Sequence, residues 1–208
     1  MPSLVNLKIE LRKKLYQYEG KFNHFYLDTK GNVTIGVGHL VPKRNAVSAL
    51  ILYKTKNNKS AQVATLQEKQ TEYDNIVKLP WGQRYGASSF KPYTTLVMKE
   101  HDINLLLDKH IGSFYKELVR IYSKTAGYAD NFDSLHKDLK LALFDMILNL
   151  GASRLVNIFP KFNAALKAGD WKTAAIESNR PDASLNRNQY VKHLLLSIST
   201  KQKQKQKP

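Results

Sequence analysis

One stretch limits what this chain can fold into. Between positions 139 and 150, Leu139, Leu141, Ala142, Leu143, Phe144, Met146, Ile147, Leu148 and Leu150 leave almost no polar face, and Gly151 closes the run. A helix that is apolar all round has to be buried, so the rest of the chain must enclose it. The 208 residues are enough for one sizeable core. With 42% hydrophobic and 24% charged residues, the composition is that of a globular protein.

The remaining periodicity supplies the surrounding elements. Leu4, Leu7, Leu11 and Leu15 follow a three-four spacing extended by Tyr18 and closed by Gly20, which predicts a first helix ending near Glu19. Phe25-Tyr26-Leu27 and Val33-Thr34-Ile35 are strand-like. Asp28-Thr29-Lys30-Gly31 between them has turn residues at both ends, so a small hairpin is expected. Ile103, Leu106, Leu107, Phe114, Leu118 and Ile121 lie on one stripe of a long helix over about 98–122 that contains Gly112. Further helices are expected at Phe159–Lys167 before Gly169, at Trp171–Ser178 behind Asp170, and at Arg187–Ser199 behind Asn186. Residues 41–95 mix an apolar Val47–Tyr53 segment, a polar break at Asn57–Ser60 and aromatics around Trp81, and they give no clear assignment. The expected class is α+β, mainly α, with one small sheet near the N-terminus.

Charge and composition narrow the partners. Thirty-three Lys and Arg against seventeen Asp and Glu leave a net charge of +16, which points to a polyanionic partner such as nucleic acid, a phospholipid surface or a cell envelope. There is no cysteine, which excludes a disulfide scaffold, a thiol nucleophile and a Cys-based zinc site. No run of 18 apolar residues exists, so no transmembrane helix is expected. The opening residues are interrupted by Asn6, Lys8 and Glu10, which leaves no signal-peptide core. Residues 201–207 alternate Lys and Gln before Pro208, and 201–208 are expected to form a disordered basic tail.

Two carboxylates carry the candidate chemistry. Glu19 stands at the end of the first helix and Asp28 at the hairpin turn nine residues later, with Thr34 six residues beyond. Each has an ordinary explanation: an acid before a glycine is commonly a solvated helix end, an aspartate opening a turn bonds its own backbone, and threonine is a common strand residue. Gly31 suits a positive φ at the turn, and Gly36 and Gly38 allow close approach of a substrate or another backbone, with a simple bulge as the alternative.

Taken together, Glu19-Gly20, Tyr26-Leu27-Asp28 and Thr34-Ile35-Gly36-Val37-Gly38-His39-Leu40 closely resemble the signature of the phage-type lysozymes, glycoside hydrolase family 24. Phe144–Gly151, Ala168–Ala175 and Leu185-Asn186-Arg187 resemble later elements of that family, so the resemblance covers most of the chain outside about 41–95. It implies a lysozyme-like two-lobed fold in a single domain over 1–200. The small lobe would span about 1–95 with an expanded insertion at 41–95, the helical lobe about 96–200, and the active site would lie in a cleft between them. It also implies roles: Glu19 as general acid, Asp28 as the base that holds an attacking water with the Thr34 hydroxyl, Leu40 as a saccharide contact, and Arg187 as the arginine that orients Glu19. Acid and base on opposite faces of a sugar correspond to an inverting glycosidase, with carboxyls about 6.5–9.5 Å apart. His39 reads as structural. His24, His101, His110, His136 and His193 show no metal-site spacing, and neither metal nor cofactor is expected. The sequence departs from the family at Leu148, where a larger aromatic is usual, and at Phe162, where a small polar residue is usual. Trp81, Tyr85, Phe90 and Tyr93 cluster in the insertion, where they either stack on sugar or anchor the loop.

The expected function is therefore an N-acetylmuramidase that cleaves the β-1,4 bond between N-acetylmuramic acid and N-acetylglucosamine in peptidoglycan and lyses bacterial cell walls. A catalytically silent basic protein that binds nucleic acid or the envelope, or that disturbs an anionic membrane, is the alternative. A cytoplasmic product without a signal peptide would reach the wall by release through a membrane hole, as a phage endolysin does, or by delivery as an effector toxin. An effector would require an inhibitor protein in the producer, with the 41–95 insertion as its docking surface. A monomer with no specific nucleic-acid partner is expected.

Overall fold

The computed structural model of the protein describes residues 4–56 and 59–205. Seven α-helices and six strands are present among them: α1 (Leu4–Glu19), β1 (Phe22–Leu27), β2 (Val33–Gly36), β3 (His39–Leu40), β4 (Tyr53–Lys56), β5 (Lys59–Val63), α2 (Leu66–Ile76), β6 (Leu96–Val97), α3 (Glu100–Ile121), α4 (Lys137–Asn157), α5 (Pro160–Ala168), α6 (Trp171–Glu177) and α7 (Leu185–Lys205). The class is α+β and mainly α. Two antiparallel three-stranded sheets are present, ordered β1-β2-β3 and β5-β4-β6. The second was not foreseen, because Tyr-Lys-Thr-Lys in β4 has no apolar alternation and its pairing with β6 spans the intervening α2.

The chain divides into two compact units, Arg12–Lys109 and Met1–Leu11 with His110–Pro208. The boundaries fall inside α1 and α3, and a continuous helix offers no change of composition by which a sequence could mark them.

In the Arg12–Lys109 unit, α1 is tied to the start of α3 by Arg12 with Asp108, by Tyr16 with Asn104, and by Lys21 Nζ at 2.6 Å from Glu100 Oε1. The 41–95 segment is a folded piece with its own core, in which Val47, Leu52 and Ile76 are fully buried and Phe90 nearly so. A reciprocal cap starts α2: the Glu68 amide donates to Thr65 Oγ1 at 3.3 Å, and the Thr65 amide to Glu68 Oε2 at 2.7 Å. Glu72, buried on α2, holds the approach to β6 by accepting from the Thr95 amide and hydroxyl at 2.6 and 2.7 Å and from the Leu96 amide at 2.9 Å. Burial pushes the Glu72 carboxyl above its usual range, and those hydrogen bonds oppose the shift.

In the other unit, α4 is the apolar helix, with residues 141–147 all buried. Its axis breaks at Gly151 (φ 75°, ψ 162°), where the sequence ends the run, and helix resumes to Asn157. Phe162 on α5, Ala174 on α6, and Val191 and Leu195 on α7 are fully buried in the same unit. Phe162 is therefore core rather than cleft lining. Asp170 caps α6 by accepting from the Thr173 amide at 3.0 Å. Residues 201–205 continue α7 instead of forming a disordered tail, since Lys and Gln are both good helix formers behind an established helix. Residues 206–208 of that tail lie outside the described residues. Among the described residues, no single helix is long and apolar enough to cross a membrane.

Candidate active site

Glu19, Asp28, Thr34 and Leu40 all belong to the Arg12–Lys109 unit and gather about its first sheet. The chain leaves α1 through Gly20 (φ 71°), so Glu19 stands where helix gives way to β1. Its half-buried carboxyl lies against the turn between β2 and β3. A methyl group on Gly38, itself at φ 65°, would be 3.6 Å from Glu19 Oε2. Gly38 thus supplies the close approach that its position in the sequence suggests.

Asp28 sits at the turn from β1 to β2, and its carboxylate is fixed by that turn. Oδ1 accepts from the amides of Lys30 and Asn32 at 2.8 and 2.9 Å, and Oδ2 accepts from Asn32 Nδ2 at 2.9 Å. The ordinary role of a turn aspartate is therefore real here, and it orients a partly exposed anion held by neutral amides. Thr34, 4% exposed, donates its hydroxyl to the Asn32 carbonyl at 3.1 Å, leaving Oγ1 as an acceptor.

The strand register aligns the rest. Thr34 pairs with Tyr26 on β1 and with Leu40 on β3. Directly paired residues project to one face of an antiparallel sheet, so Tyr26, Thr34 and Leu40 form one row, with Leu40 47% exposed at its end. Burial pushes the Tyr26 phenol well above its usual range, and the charges of Glu19 and then Asp28 push it further, with the Gly38 amide partly opposing them. One buried phenol therefore feels both carboxylates. Neither Tyr26 nor Asn32 was assigned a role from the sequence, although both lie inside the motif. A side chain's place in a row or a turn is fixed by register, which spacing alone does not give.

Arg187 belongs to the other unit and is 5% exposed. Its Nε donates to Asp145 at 3.2 Å to Oδ1 and 3.1 Å to Oδ2, and Asp145 Oδ1 also accepts from Arg180 Nη1 at 2.7 Å. Sequence reasoning missed this buried cluster. The signal was present, because Asp145 is the single acid within the apolar run of α4 and a buried charge needs a partner. In the insertion, Phe90 (2% exposed) anchors the core, while Trp81, Tyr85 and Tyr93 are 54%, 38% and 61% exposed. No cluster of three or more His, Asp or Glu suited to a metal ion occurs among the described residues.

A carboxylate locked by amides can position a water through its remaining lone pairs, while a second, half-buried carboxyl can hold and donate a proton. No protein-family model matches the chain. The chain is similar to a protein of Dictyostelium discoideum named "Probable T4-type lysozyme 2", with 26% identity over 167 residues that cover 80% of each chain. The similarity is distant. It joins this chain to a lysozyme over most of its length.

Proposed function

We propose that this protein is a peptidoglycan N-acetylmuramidase that hydrolyses the β-1,4 bond between N-acetylmuramic acid and N-acetylglucosamine. The observation that carries the reading is the gathering of Glu19, Asp28 and Thr34 about one three-stranded sheet, with Tyr26 sensing both carboxylates. The similarity to a protein named as a lysozyme supports it. Glu19 acts as the general acid on the leaving oxygen. Asp28 accepts a proton from a water that also donates to Thr34 Oγ1, so the water attacks the anomeric carbon with inversion. Leu40, exposed at the end of the row, contacts the saccharide. The +16 charge draws the protein to the anionic envelope. The bacterial cell wall is the place of action, reached by release or delivery, and in a delivered effector an inhibitor protein guards the producer.

Purified sacculi digested with the protein should yield soluble fragments with N-acetylmuramic acid at the reducing end, identified by mass spectrometry. The fresh product should carry the α anomer in its NMR spectrum. Intact sacculi would overturn the hydrolase and return the basic binding protein to first place, and a fresh β anomer would overturn inversion.

A further inference from the structure

The insertion reaches the turn that carries Asp28. A methyl group built on Gly31, which holds φ 80°, would come within 2.7, 2.9 and 2.9 Å of Cε2, Cδ2 and Nε1 of Trp81. Near-equal distances to three ring atoms mean that the indole lies broadside on the bare α-carbon, a contact that only glycine permits. The ring is nevertheless 54% exposed, as expected of an aromatic plate with one face covered and the other open. Its loop is held on both sides, by the Leu79 amide donating to the Ile76 carbonyl at 3.0 Å and the Tyr85 amide donating to the Gly82 carbonyl at 3.0 Å. Lys78, Gln83 and Arg84, close to it in sequence, are exposed and bring hydrogen-bonding groups to the same loop. A pyranose ring, with one C–H face and polar groups around its edge, matches an indole with one face covered and the other open, on a loop that carries exposed polar side chains.

We propose that Trp81 is a saccharide-stacking platform that extends the substrate surface past the Asp28 turn and binds one further pyranose ring of a β-1,4-linked N-acetylhexosamine chain. The proposal rests on the hydrolase reading and adds a binding position supplied by the insertion. Gly31 and Trp81 then act together, since the turn that aims the carboxylate also fixes the plate.

The chain contains two tryptophans, so the Glu19→Gln protein labelled with nitrogen-15 gives two indole N–H signals, assigned with Trp81→Phe. Titration with the β-1,4 hexamer of N-acetylglucosamine should move the Trp81 signal saturably and leave the Trp171 signal in place. Trp81→Ala should weaken hexamer binding about tenfold and Trp81→Phe should recover most of it, as loss and return of one stacked aromatic require. With Glu19 intact, Trp81→Ala should raise KM on sacculi and leave kcat nearly unchanged. A Trp81 signal that stays still at millimolar hexamer overturns the platform without reliance on any variant at position 81 folding. Release of muramic-acid ends by the wild type together with a silent Trp81 signal would overturn the platform and leave the hydrolase standing. A saturating Trp81 shift in a protein whose wild type releases nothing would support the platform and overturn the hydrolase.

Discussion

Asp28 and Asp145 each accept hydrogen bonds on both carboxylate oxygens, yet they are built for opposite purposes. Asp28 is partly exposed and bonded by the backbone and side-chain amides of its own turn, which orient it without cancelling its charge. Asp145 is 4% exposed and receives two guanidinium groups, Arg180 and Arg187, which together exceed its charge. The first arrangement leaves a fixed anion facing water. The second places ions where only a complete set is tolerable, because a buried charge without its partner carries a large desolvation penalty. Of these two aspartates, the one held by neutral donors keeps its charge uncompensated and partly exposed, and the one held by cations is buried with its charge matched.

The same substitution at the two aspartates should separate these roles. Asp145→Asn strips two buried arginines of their counter-charge and should destabilise the protein by about 3–5 kcal/mol. That corresponds to a lowering of about 10 °C in the thermal midpoint of a chain this size, read by circular dichroism. Asp28→Asn retains an oxygen for the Lys30 and Asn32 amides but cannot take a proton at neutral pH. Hydrolysis of sacculi should fall by about 10²–10⁴-fold while the thermal midpoint stays close to wild type. If Asp28→Asn melted like Asp145→Asn, the distinction would fail.

A smaller effect tests the turn itself. Gly31→Ala places a Cβ at φ 80° and 2.7 Å from the Trp81 ring, so backbone strain and displacement of the indole act together. A loss of about 1–2 kcal/mol is expected from the left-handed conformation alone, with a further drop in hydrolysis as the Asp28 carboxylate loses its aim. Urea midpoints and sacculus turnover measured on the same preparation would show whether both fall.

The smallest effect concerns pH. His24 on β1 is 4% exposed, with its Nε2 3.0 Å from the Ala87 carbonyl. Burial lowers its pKa below the ordinary histidine range, Lys91 lowers it slightly further, and the bond to Ala87 opposes both. The unfolded chain therefore takes up this proton first as pH falls. Stability present above about pH 6.5 is lost as the pH drops toward and through the lower folded value. Unfolding midpoints at neutral pH and near pH 5.5 should differ less in His24→Gln than in wild type, and equal differences would remove His24 as the cause.

Much of this was legible in the sequence for local reasons. The leucine spacing of α1, the turn from Asp28 to Gly31, the break in α4 at Gly151, the glycine end of α5 at Gly169 and the cap at Asp170 all depend on residues within a few positions of one another. What was not legible depends on tertiary pairing. β4 carries lysines and becomes a strand because β5 and β6 flank it, and the run of Lys and Gln after Ser199 is helical because α7 already exists to be extended. Within the site, Glu19, Asp28 and Thr34 were picked out by the resemblance of their combined motif to the phage-type lysozymes, since each alone has an ordinary reading. Tyr26 joined them only through its register with Thr34, and Trp81 reached Gly31 from 50 positions away in the chain. The Arg180–Asp145–Arg187 cluster could have been anticipated from one acid in an apolar helix, but nothing in the sequence names which cations would meet it.

The central claim is that Glu19 and Asp28 form a hydrolytic pair on a fold that does not depend on their chemistry. The most direct test is the rate at which reducing-end N-acetylmuramic acid appears when equal amounts of wild type and Glu19→Gln, matched for thermal midpoint, digest the same purified sacculi. The account expects release by the wild type and a loss of about 10²–10⁴-fold in the variant with its fold unchanged. Equal release by the two proteins would contradict it.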